Sequence, residues 1–344
     1  MRVSLWVSES SLSRPVTSAA QRHGVRTRLY LEIEHEGVVG YGEVTPQPTT
    51  INGDPGVALV TDELVGVVVP RLLDIVRREG ALPEWSRASA LVAGRDSAHF
   101  AASVVEMALV DHELRRRGEE LASWWPPRWD TPAQATVSLL DDEEWETAGA
   151  TRVRVKTAPG ALRERALARV AALGRPVLLD FNCSATATEV RDQVARLRAV
   201  ADLDAVEQPF APGNVVESAL LARDLGVDLS IDEGLRSVHD VVQIARYDAA
   251  RMICVKPARL GGFAAARSVI ARAHEVGLRV YLGGFFESDF ARQVNRAFAR
   301  AFVSEPSDVA PVALSGPTAI ASDGLGWRPA PAVLRTATLI GRFE

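Results

Sequence analysis

The chain has 344 residues, of which 47% are hydrophobic and 24% are charged, and its formal net charge at pH 7 is −5. This length is enough for a large barrel and a smaller domain, and the lack of a basic surplus argues against nucleic acid or a membrane surface as a partner. No apolar run approaches the ~20 residues that a membrane span needs, and no secretory signal is expected. Two cysteines form no disulfide framework, so we expect a cytoplasmic protein.

The first part of the chain predicts an α+β domain over residues 1–110. Three segments alternate like strands: residues 3–7, 28–35 and 38–44. Three helical segments follow them: residues 57–78, 84–92 and 97–117. Strands followed by helices are typical of an α+β arrangement rather than of a barrel.

From about residue 133 the chain alternates between apolar strands and helices. Seven strands are predicted: residues 135–140, 152–157, 177–181, 205–210, 229–233, 252–256 and 279–283. An eighth strand is predicted near residues 311–314. Apolar strands without polar alternation are what a parallel sheet covered by helices requires. The fold class is therefore α/β, with a barrel over residues 111–319 and a tail, residues 320–344, that returns to the first domain.

Charged residues stand at or near the ends of five successive strands: Lys156, Asp180, Glu207, Asp232 and Lys256. The gaps between them are 24, 27, 25 and 24 residues, each the length of a strand, a helix and two loops. Because the C-terminal ends of all strands in a parallel barrel lie on one face, the five side chains should meet at one mouth. Three carboxylates with two ammonium groups indicate a divalent-metal site flanked by bases.

These segments resemble the enolase superfamily, in its muconate-lactonizing-enzyme subgroup. Five segments carry the resemblance, in order and at matching spacing: Arg154-Val155-Lys156, Asp180 with Asn182, Glu207-Gln208-Pro209, Asp232-Glu233 and Lys256. The segment Gly283-Gly284-Phe285-Phe286-Glu287-Ser288 is similar to the glycine-glycine-x-x-Glu-Ser segment of the family's seventh strand. The resemblance implies an α+β capping domain on a (β/α)7β TIM-like barrel.

The resemblance also implies roles for the five charges. Lys156 and Lys256 are the expected catalytic residues, and Asp180, Glu207 and Asp232 are the expected ligands of Mg²⁺, which prefers hard oxygen donors. The ion would bind a substrate carboxylate and stabilise the enediolate that forms when the α-proton leaves. Any one of these carboxylates alone would be equally typical of a helix N-cap. The prediction of a metal site therefore rests on all three occurring in order.

A further set of residues is expected to bind substrate or support the site: Arg154, Asn182, Glu233, Gly284, Glu287, Ser288 and His23. His23, with Arg22 beside it, is predicted in a loop between the first two strands, which in this family closes over the active site. Arg154 departs from the family pattern because it replaces the first residue of a Lys-x-Lys pair. Residues two apart on a strand face the same side, so its guanidinium keeps a positive charge beside Lys156.

The resemblance narrows the reaction without fixing it. The segment Tyr281 to Phe285 lacks the catalytic histidine of the mandelate-racemase subgroup, and Glu287-Ser288-Asp289 lacks the Asp-x-Asp pair of dipeptide epimerases. The short length and compact capping loops are most similar to enzymes that dehydrate a succinyl-substituted cyclohexadiene carboxylate to o-succinylbenzoate, on the way to menaquinone. Racemisation of N-succinylamino acids and cycloisomerisation remain open.

Two alternatives belong to other classes. Two barrel lysines are also typical of a Schiff-base aldolase, and a relative without activity would serve as a binding protein. The presence of both lysines and all three carboxylates argues against the second alternative. The partner we expect is a small-molecule carboxylate, with no nucleic acid and no membrane, and a homo-oligomer is left open.

Overall fold

The computed structural model of this chain describes residues 1–92, 95, 98–142, 144–309, 334 and 336–344. The strands in this part of the chain are β1 (Arg2–Thr17), β2 (Arg22–His35), β3 (Val38–Val44), β4 (Ala133–Ser138), β5 (Ala150–Lys156), β6 (Val177–Asp180), β7 (Leu203–Glu207), β8 (Asp228–Ile231), β9 (Met252–Val255), β10 (Arg279–Leu282) and β11 (Thr338–Phe343). The α-helices are α1 (Val57–Glu63), α2 (Val69–Glu79), α3 (His99–Arg117), α4 (Leu121–Trp124), α5 (Glu164–Ala171), α6 (Ala187–Arg198), α7 (Val215–Leu225), α8 (Val238–Tyr247), α9 (Pro257–Leu260), α10 (Phe263–Glu275) and α11 (Asp289–Phe302). None of these helices is long and apolar enough to cross a membrane.

The N-terminal domain is built on a four-stranded antiparallel sheet in the order β11-β1-β2-β3. β2 and β3 are joined by Glu36 and Gly37, whose φ angles of 51° and 76° match the tight turn that suits a hairpin. β11 pairs with β1, so residues 338–343 of the tail lie in the N-terminal sheet.

The predicted helix over residues 57–78 is interrupted. A π-helical turn, Leu64–Val68, separates α1 from α2, and Pro70 lies in the first turn of α2. Proline has no amide hydrogen to continue the helical ladder, which explains the change of hydrogen-bonding pattern just before it. The predicted helix near residues 84–92 is a 3₁₀-helix, Trp85–Val92.

Helix α3 packs the two domains together. Its residues contribute to the hydrophobic cores of both the capping domain and the barrel. Two glycines of β3 let the sheet approach it closely, because a Cβ at Gly40 would lie 2.3 Å from the Ala108 carbonyl oxygen and one at Gly42 would lie 2.1 Å from that of Val104. The helix ends at Gly118, which has the left-handed φ of 65° that glycine adopts without strain.

The second domain is a seven-stranded parallel sheet in the order β10-β9-β8-β7-β6-β5-β4, covered by helices. The predicted α/β barrel is therefore confirmed. Ser307 closes the sheet: its carbonyl accepts from the Gln134 amide at 3.0 Å, and the neighbouring Asp308 amide donates to the Leu282 carbonyl at 2.9 Å. The eighth strand predicted near residues 311–314 lies outside the described residues.

Candidate active site

The five charges come together because strand register places them at one end of the parallel sheet. Lys156, Asp180 and Glu207 are the last residues of β5, β6 and β7, whereas Asp232 and Lys256 directly follow β8 and β9. All five are buried. The predicted convergence at the C-terminal mouth therefore agrees with the geometry.

β5 supplies three cations to the inside of the barrel. Its alternate residues Arg152, Arg154 and Lys156 are buried polar groups, whereas Val153 and Val155 pack in the hydrophobic core around the sheet. This is the two-residue period of a strand whose faces meet different surroundings. Arg152 lies near the start of β5, at the end of the barrel opposite to the mouth. It donates to Gln134 at 2.7 Å and to Asp204 at 2.8 Å. Arg154 and Lys156 reach the mouth.

The two lysines have different neighbours. Lys156 Nζ donates to Asp180 Oδ2 at 2.8 Å and to Asn182 Oδ1 at 3.0 Å. Lys256 Nζ donates to Asp232 Oδ2 at 2.8 Å and lies 4.7 Å from the ring centroid of Phe285. Burial lowers the pKa of Lys256, but the Asp232 carboxylate outweighs it, and the net pKa is raised. Lys256 is thus held as a cation.

Asp232 is the most heavily paired carboxylate of the set. Besides Lys256, it accepts from Arg259 Nη1 at 2.6 Å and from Arg154 Nη2 at 3.2 Å. Burial alone would raise the pKa of this carboxyl, but Lys256, Arg259 and Arg154 hold it well below its usual range. Asp180 behaves in the same way, because Lys156 and Arg154 outweigh its burial and lower its pKa.

The carboxylate set fits a hard divalent cation. The guanidinium of Arg154 contacts Asp180, Glu207 and Asp232 at once, so the three carboxylates surround one cationic group. Oxygens of Glu207 and Asp232 also lie within 4.8 Å of Cys254 Sγ and of each other. Burial, and then Asp232, raises the pKa of the Cys254 thiol to about 11.

Asn182 and Glu233 lie beside this set and line the same cavity as the two lysines, a space of about 50 Å³. Asn182 has a left-handed φ of 44° and donates from Nδ2 to Glu233 Oε1 at 3.2 Å. Burial, followed by the charges of Asp232 and Asp180, raises the pKa of Glu233 to about 7. Both residues therefore lie in the lining of the cavity that Lys156 and Lys256 share.

The segment of residues 283–288, which follows β10, contacts two different regions, the cavity and the capping domain. Gly284 lines the cavity, and a Cβ at this position would lie 2.5 Å from Glu287 Oε2. Glu287 is buried beneath it, with Asn295 Nδ2 at 3.4 Å from Oε1. Ser288 caps helix α11, and its amide donates to Glu43 Oε1 of the capping domain at 2.8 Å. Ser288 thus joins the two domains.

The predicted loop position of His23 is wrong. His23 lies in β2, opposite Val16 of β1, because these strands extend past a bulge to a turn at residues 18–21. The outer half of β1 is polar and rich in serine, so it lacks the apolar alternation that would have predicted this extension. His23 nevertheless lines the cavity, with its ring 5.0 Å from that of Phe286. Arg22, next to it, is exposed. Burial, and then Lys156, lowers the pKa of His23 to about 3.

Arg259 and Asp54 are site residues that the sequence did not single out. Arg259 donates to both oxygens of Asp54, from Nε at 2.8 Å and from Nη2 at 2.7 Å, and its Nη1 reaches the carbonyl of Asp232 at 2.9 Å. This arginine ties a capping-domain loop to the mouth of the barrel. Its position three residues after Lys256, across the short helix α9, is the signal that would have found it.

The sequence was compared with models of known protein families. The family model described as enolase C-terminal domain-like matches residues 139–312, just over half of the chain. The chain belongs to this family, and so to the enolase superfamily. The match begins one residue after β4 and runs through all the strand ends that carry the five charges.

Three relatives within the superfamily differ in reaction. The chain is 28% identical to chloromuconate cycloisomerase of Cupriavidus pinatubonensis over 289 residues, which covers 78% of this chain and 75% of the relative. It is 27% identical to o-succinylbenzoate synthase of Enterococcus faecalis over 307 residues, covering 86% and 81%. It is 29% identical to N-succinylamino acid racemase of Thermus thermophilus over 286 residues, covering 78% and 74%.

Solved structures share the fold at lower identity. An N-succinyl Arg/Lys racemase from Bacillus cereus aligns with a TM-score of 0.82 at 17% identity, covering 100% of this chain and 98% of that one. A muconate lactonizing enzyme from Pseudomonas fluorescens aligns with a TM-score of 0.79 at 20% identity, covering 97% of each chain. The capping domain and barrel are thus a shared architecture of this enolase-superfamily member.

Proposed function

We propose that the protein is a Mg²⁺-dependent enzyme that removes a proton α to a carboxylate, and that its reaction is the syn-dehydration of a succinyl-substituted cyclohexadiene carboxylate to o-succinylbenzoate, a step toward menaquinone. Membership of the enolase superfamily supports the first part. Relatives named o-succinylbenzoate synthase, which this chain covers over most of their length, support the second. The two unpaired cysteines favour a cytoplasmic location.

The observation that carries the choice of reaction is the difference between the two lysines. Lys256 is fixed by a carboxylate at 2.8 Å and an aromatic face at 4.7 Å, both of which stabilise an ammonium ion. Lys156 also lies 2.8 Å from a carboxylate, that of Asp180, but its second neighbour is the neutral amide oxygen of Asn182 and not an aromatic face. A dehydratase needs one base and one fixed cation, whereas a racemase needs a base on each side of the α-carbon.

The proposed proton path uses one residue. Neutral Lys156 takes the α-proton, and the electron pair of the broken C–H bond forms the new double bond as the β-hydroxyl departs. The resulting ammonium of Lys156 returns that proton to the hydroxyl, which leaves as water. Because the same group removes the proton and protonates the leaving group, both must lie on one face of the ring, which gives syn elimination.

The metal and Lys256 would supply charge rather than proton transfer. Asp180, Glu207 and Asp232 would hold a divalent cation, which would supply positive charge beside the substrate carboxylate. Lys256 adds a fixed positive charge in a buried site, where solvent screens it little. We assign Asn182 and Glu233 to contact with the substrate, and their position in the lining of the cavity supports this role.

A second candidate is racemisation of N-succinylamino acids, which the 29% identity to the Thermus thermophilus racemase favours. It would require Lys256 to give up its proton despite Asp232 and Phe285. Cycloisomerisation has support of the same kind from the chloromuconate relative. A Schiff-base aldolase has less support, because both lysines are engaged with carboxylates among the ligands of the proposed ion.

One assay separates these reactions. The purified protein, with Mg²⁺, is given the cyclohexadiene carboxylate, an N-succinylamino acid or a muconate, and absorbance and optical rotation are followed. We expect rapid formation of the aromatic product and slow or no racemisation. Fast racemisation without dehydration would contradict the synthase assignment. Trapping of a substrate carbonyl by borohydride, with activity that survives a chelator, would favour the aldolase.

A further inference from the structure

The guanidinium of Arg154 lies among the three carboxylates to which the proposed function assigns the metal. Its Nε is 3.0 Å from Glu207 Oε2 and 3.3 Å from Asp180 Oδ2, and its Nη2 is 3.2 Å from Asp232 Oδ2. Nη2 also contacts the second oxygen of Glu207. One cationic group therefore reaches every member of the set.

We propose that Arg154 is a built-in occupant of the metal position, and that a divalent cation binds there only by displacing its guanidinium. The inference rests on the proposed role of the three carboxylates as ligands. Mg²⁺ binds carboxylate oxygens at about 2.0–2.1 Å, and it would need the same lone pairs that Arg154 now uses. Two cations on one set of oxygens would also repel each other strongly in a buried site.

Burial makes this internal contact strong. Arg154 is 3% exposed, and Asp180, Glu207 and Asp232 are fully buried, so solvent screens the ion contacts little. A guanidinium presents five N–H donors in a rigid planar fork, whereas an ammonium group presents three donors on a flexible stem, so the guanidinium is better organised to hold several carboxylates at once. The apparent affinity for a divalent cation is then the intrinsic affinity reduced by the fraction of molecules in which the guanidinium has left.

A second position for the guanidinium is available at the closing edge of the barrel. Thr136 of β4 stands opposite Arg154 in the strand register, and its Oγ1 donates to Asp308 Oδ2 at 3.0 Å. Asp308 also contacts Arg292 at 3.4 Å. Arg154, Thr136, Asp308 and Arg292 line one cavity, so Asp308 offers a displaced guanidinium a carboxylate away from the metal ligands.

Mg²⁺ binding by titration calorimetry, after treatment with a chelator, tests this proposal without reference to turnover. Arg154→Lys keeps the charge but loses the fork, and Arg154→Met loses both. We expect both variants to bind Mg²⁺ at least about tenfold more tightly than the wild type. Their unfolding temperatures should also rise more than that of the wild type when Mg²⁺ is added.

Two further variants distinguish occupancy of the metal position by the Arg154 guanidinium from an effect of net charge on Mg²⁺ affinity. Lys156→Met removes a cation from the same strand but leaves the guanidinium in place, so its gain in affinity should be smaller than that of Arg154→Lys. Asp308→Asn should weaken Mg²⁺ binding in the wild-type background and have no effect in the Arg154→Met background.

Equal Mg²⁺ affinity in the wild type, Arg154→Lys and Arg154→Met would overturn occupancy by Arg154 and leave the metal site standing. A gain in Arg154→Met and Lys156→Met that is absent from Arg154→Lys would trace to net charge and would overturn it as well. Failure of the wild type and both Arg154 variants to bind Mg²⁺ would instead remove the carboxylate set as a metal site, and with it the proposed function.

Discussion

Lys256 and Phe285 form a cation–π contact, with Nζ 4.7 Å from the ring centroid. The aromatic residue belongs to the segment that follows β10, and the lysine directly follows the neighbouring strand β9. Their contact does not depend on what the carboxylate of Asp232 binds, so it favours the ammonium form whether or not a metal ion shares that carboxylate. This is the structural reason for assigning Lys256 a charge role rather than a base role.

The charge role predicts that a second cation at position 256 retains activity. Lys256→Arg keeps a positive charge near Phe285, whereas Lys256→Met removes it at similar length. We expect Lys256→Arg to dehydrate the substrate at least about tenfold faster than Lys256→Met, a difference of about 1.4 kcal/mol in the barrier. The kcat values of both variants, measured at saturating Mg²⁺, provide the comparison. Equal loss in both would indicate that Lys256 exchanges a proton.

Asp232 is expected to support both metal binding and the fold. Asp232→Asn should lower Mg²⁺ affinity and activity together, and it should destabilise the protein by about 3–5 kcal/mol because buried cations lose their partner. Asp228→Asn is a matched control at the other end of β8, where the side chain is 38% exposed. Its cost should stay below about 1 kcal/mol. Activity of Asp232→Asn at the wild-type level in metal-free buffer would contradict the metal role.

The ion pair between Arg259 and Asp54 is expected to hold the capping loop on the barrel. Arg259→Met would leave Asp54 without its buried partner and Asp232 with one partner fewer, and it should lower the free energy of unfolding by about 3–5 kcal/mol. Arg236 also contacts Asp54, at 3.2 Å, but it is 30% exposed. Arg236→Met should therefore cost no more than about 1 kcal/mol. Denaturant unfolding of the two variants gives the comparison, and equal costs would show that the loop is held elsewhere.

The lowered pKa of His23 is expected to make the free energy of unfolding fall as the pH falls. Its pKa falls from 6.5 in the unfolded chain to about 3 in the fold, so the unfolded chain gains a proton first as the pH falls. Above pH 6.5 the neutral imidazole costs the fold little, and the free energy of unfolding then falls progressively as the pH drops toward 3. Between pH 7.5 and pH 5 the wild type should lose about 2 kcal/mol more stability than His23→Gln. His239→Gln, at an exposed position on α8, should leave this loss unchanged, and a loss unaltered by His23→Gln would refute the assignment.

The barrel and its charged mouth were predictable because they follow from periodic features. Apolar strands at regular spacing identify a parallel sheet, and the end of each strand is marked by the charge itself, as at Asp180 and Glu207. Strand pairing then brings these ends together without any knowledge of side-chain packing. The same logic failed for the outer halves of β1 and β2, where polar residues interrupt the alternation of apolar ones.

Contacts between distant segments were beyond the sequence pattern. Asp54 and Arg259 are single charges separated by 205 residues, and nothing in either neighbourhood indicates the other. The position of Arg154 was also hidden, because its strand face was predictable but the direction of a long, flexible side chain was not. Such positions depend on which carboxylates the fold leaves within reach, and that is a property of packing.

Turnover of the cyclohexadiene carboxylate by Lys156→Ala tests the proposed chemistry most directly. With Mg²⁺ at saturation, loss of a general base should lower kcat by about 10²–10⁴-fold. Mg²⁺ affinity should remain measurable in the same variant, because Lys156 contributes no ligand. Formation of o-succinylbenzoate by the wild type, with this loss in Lys156→Ala, is the predicted result. Turnover by Lys156→Ala within about threefold of the wild type would contradict the assignment of Lys156 as the base that takes the α-proton.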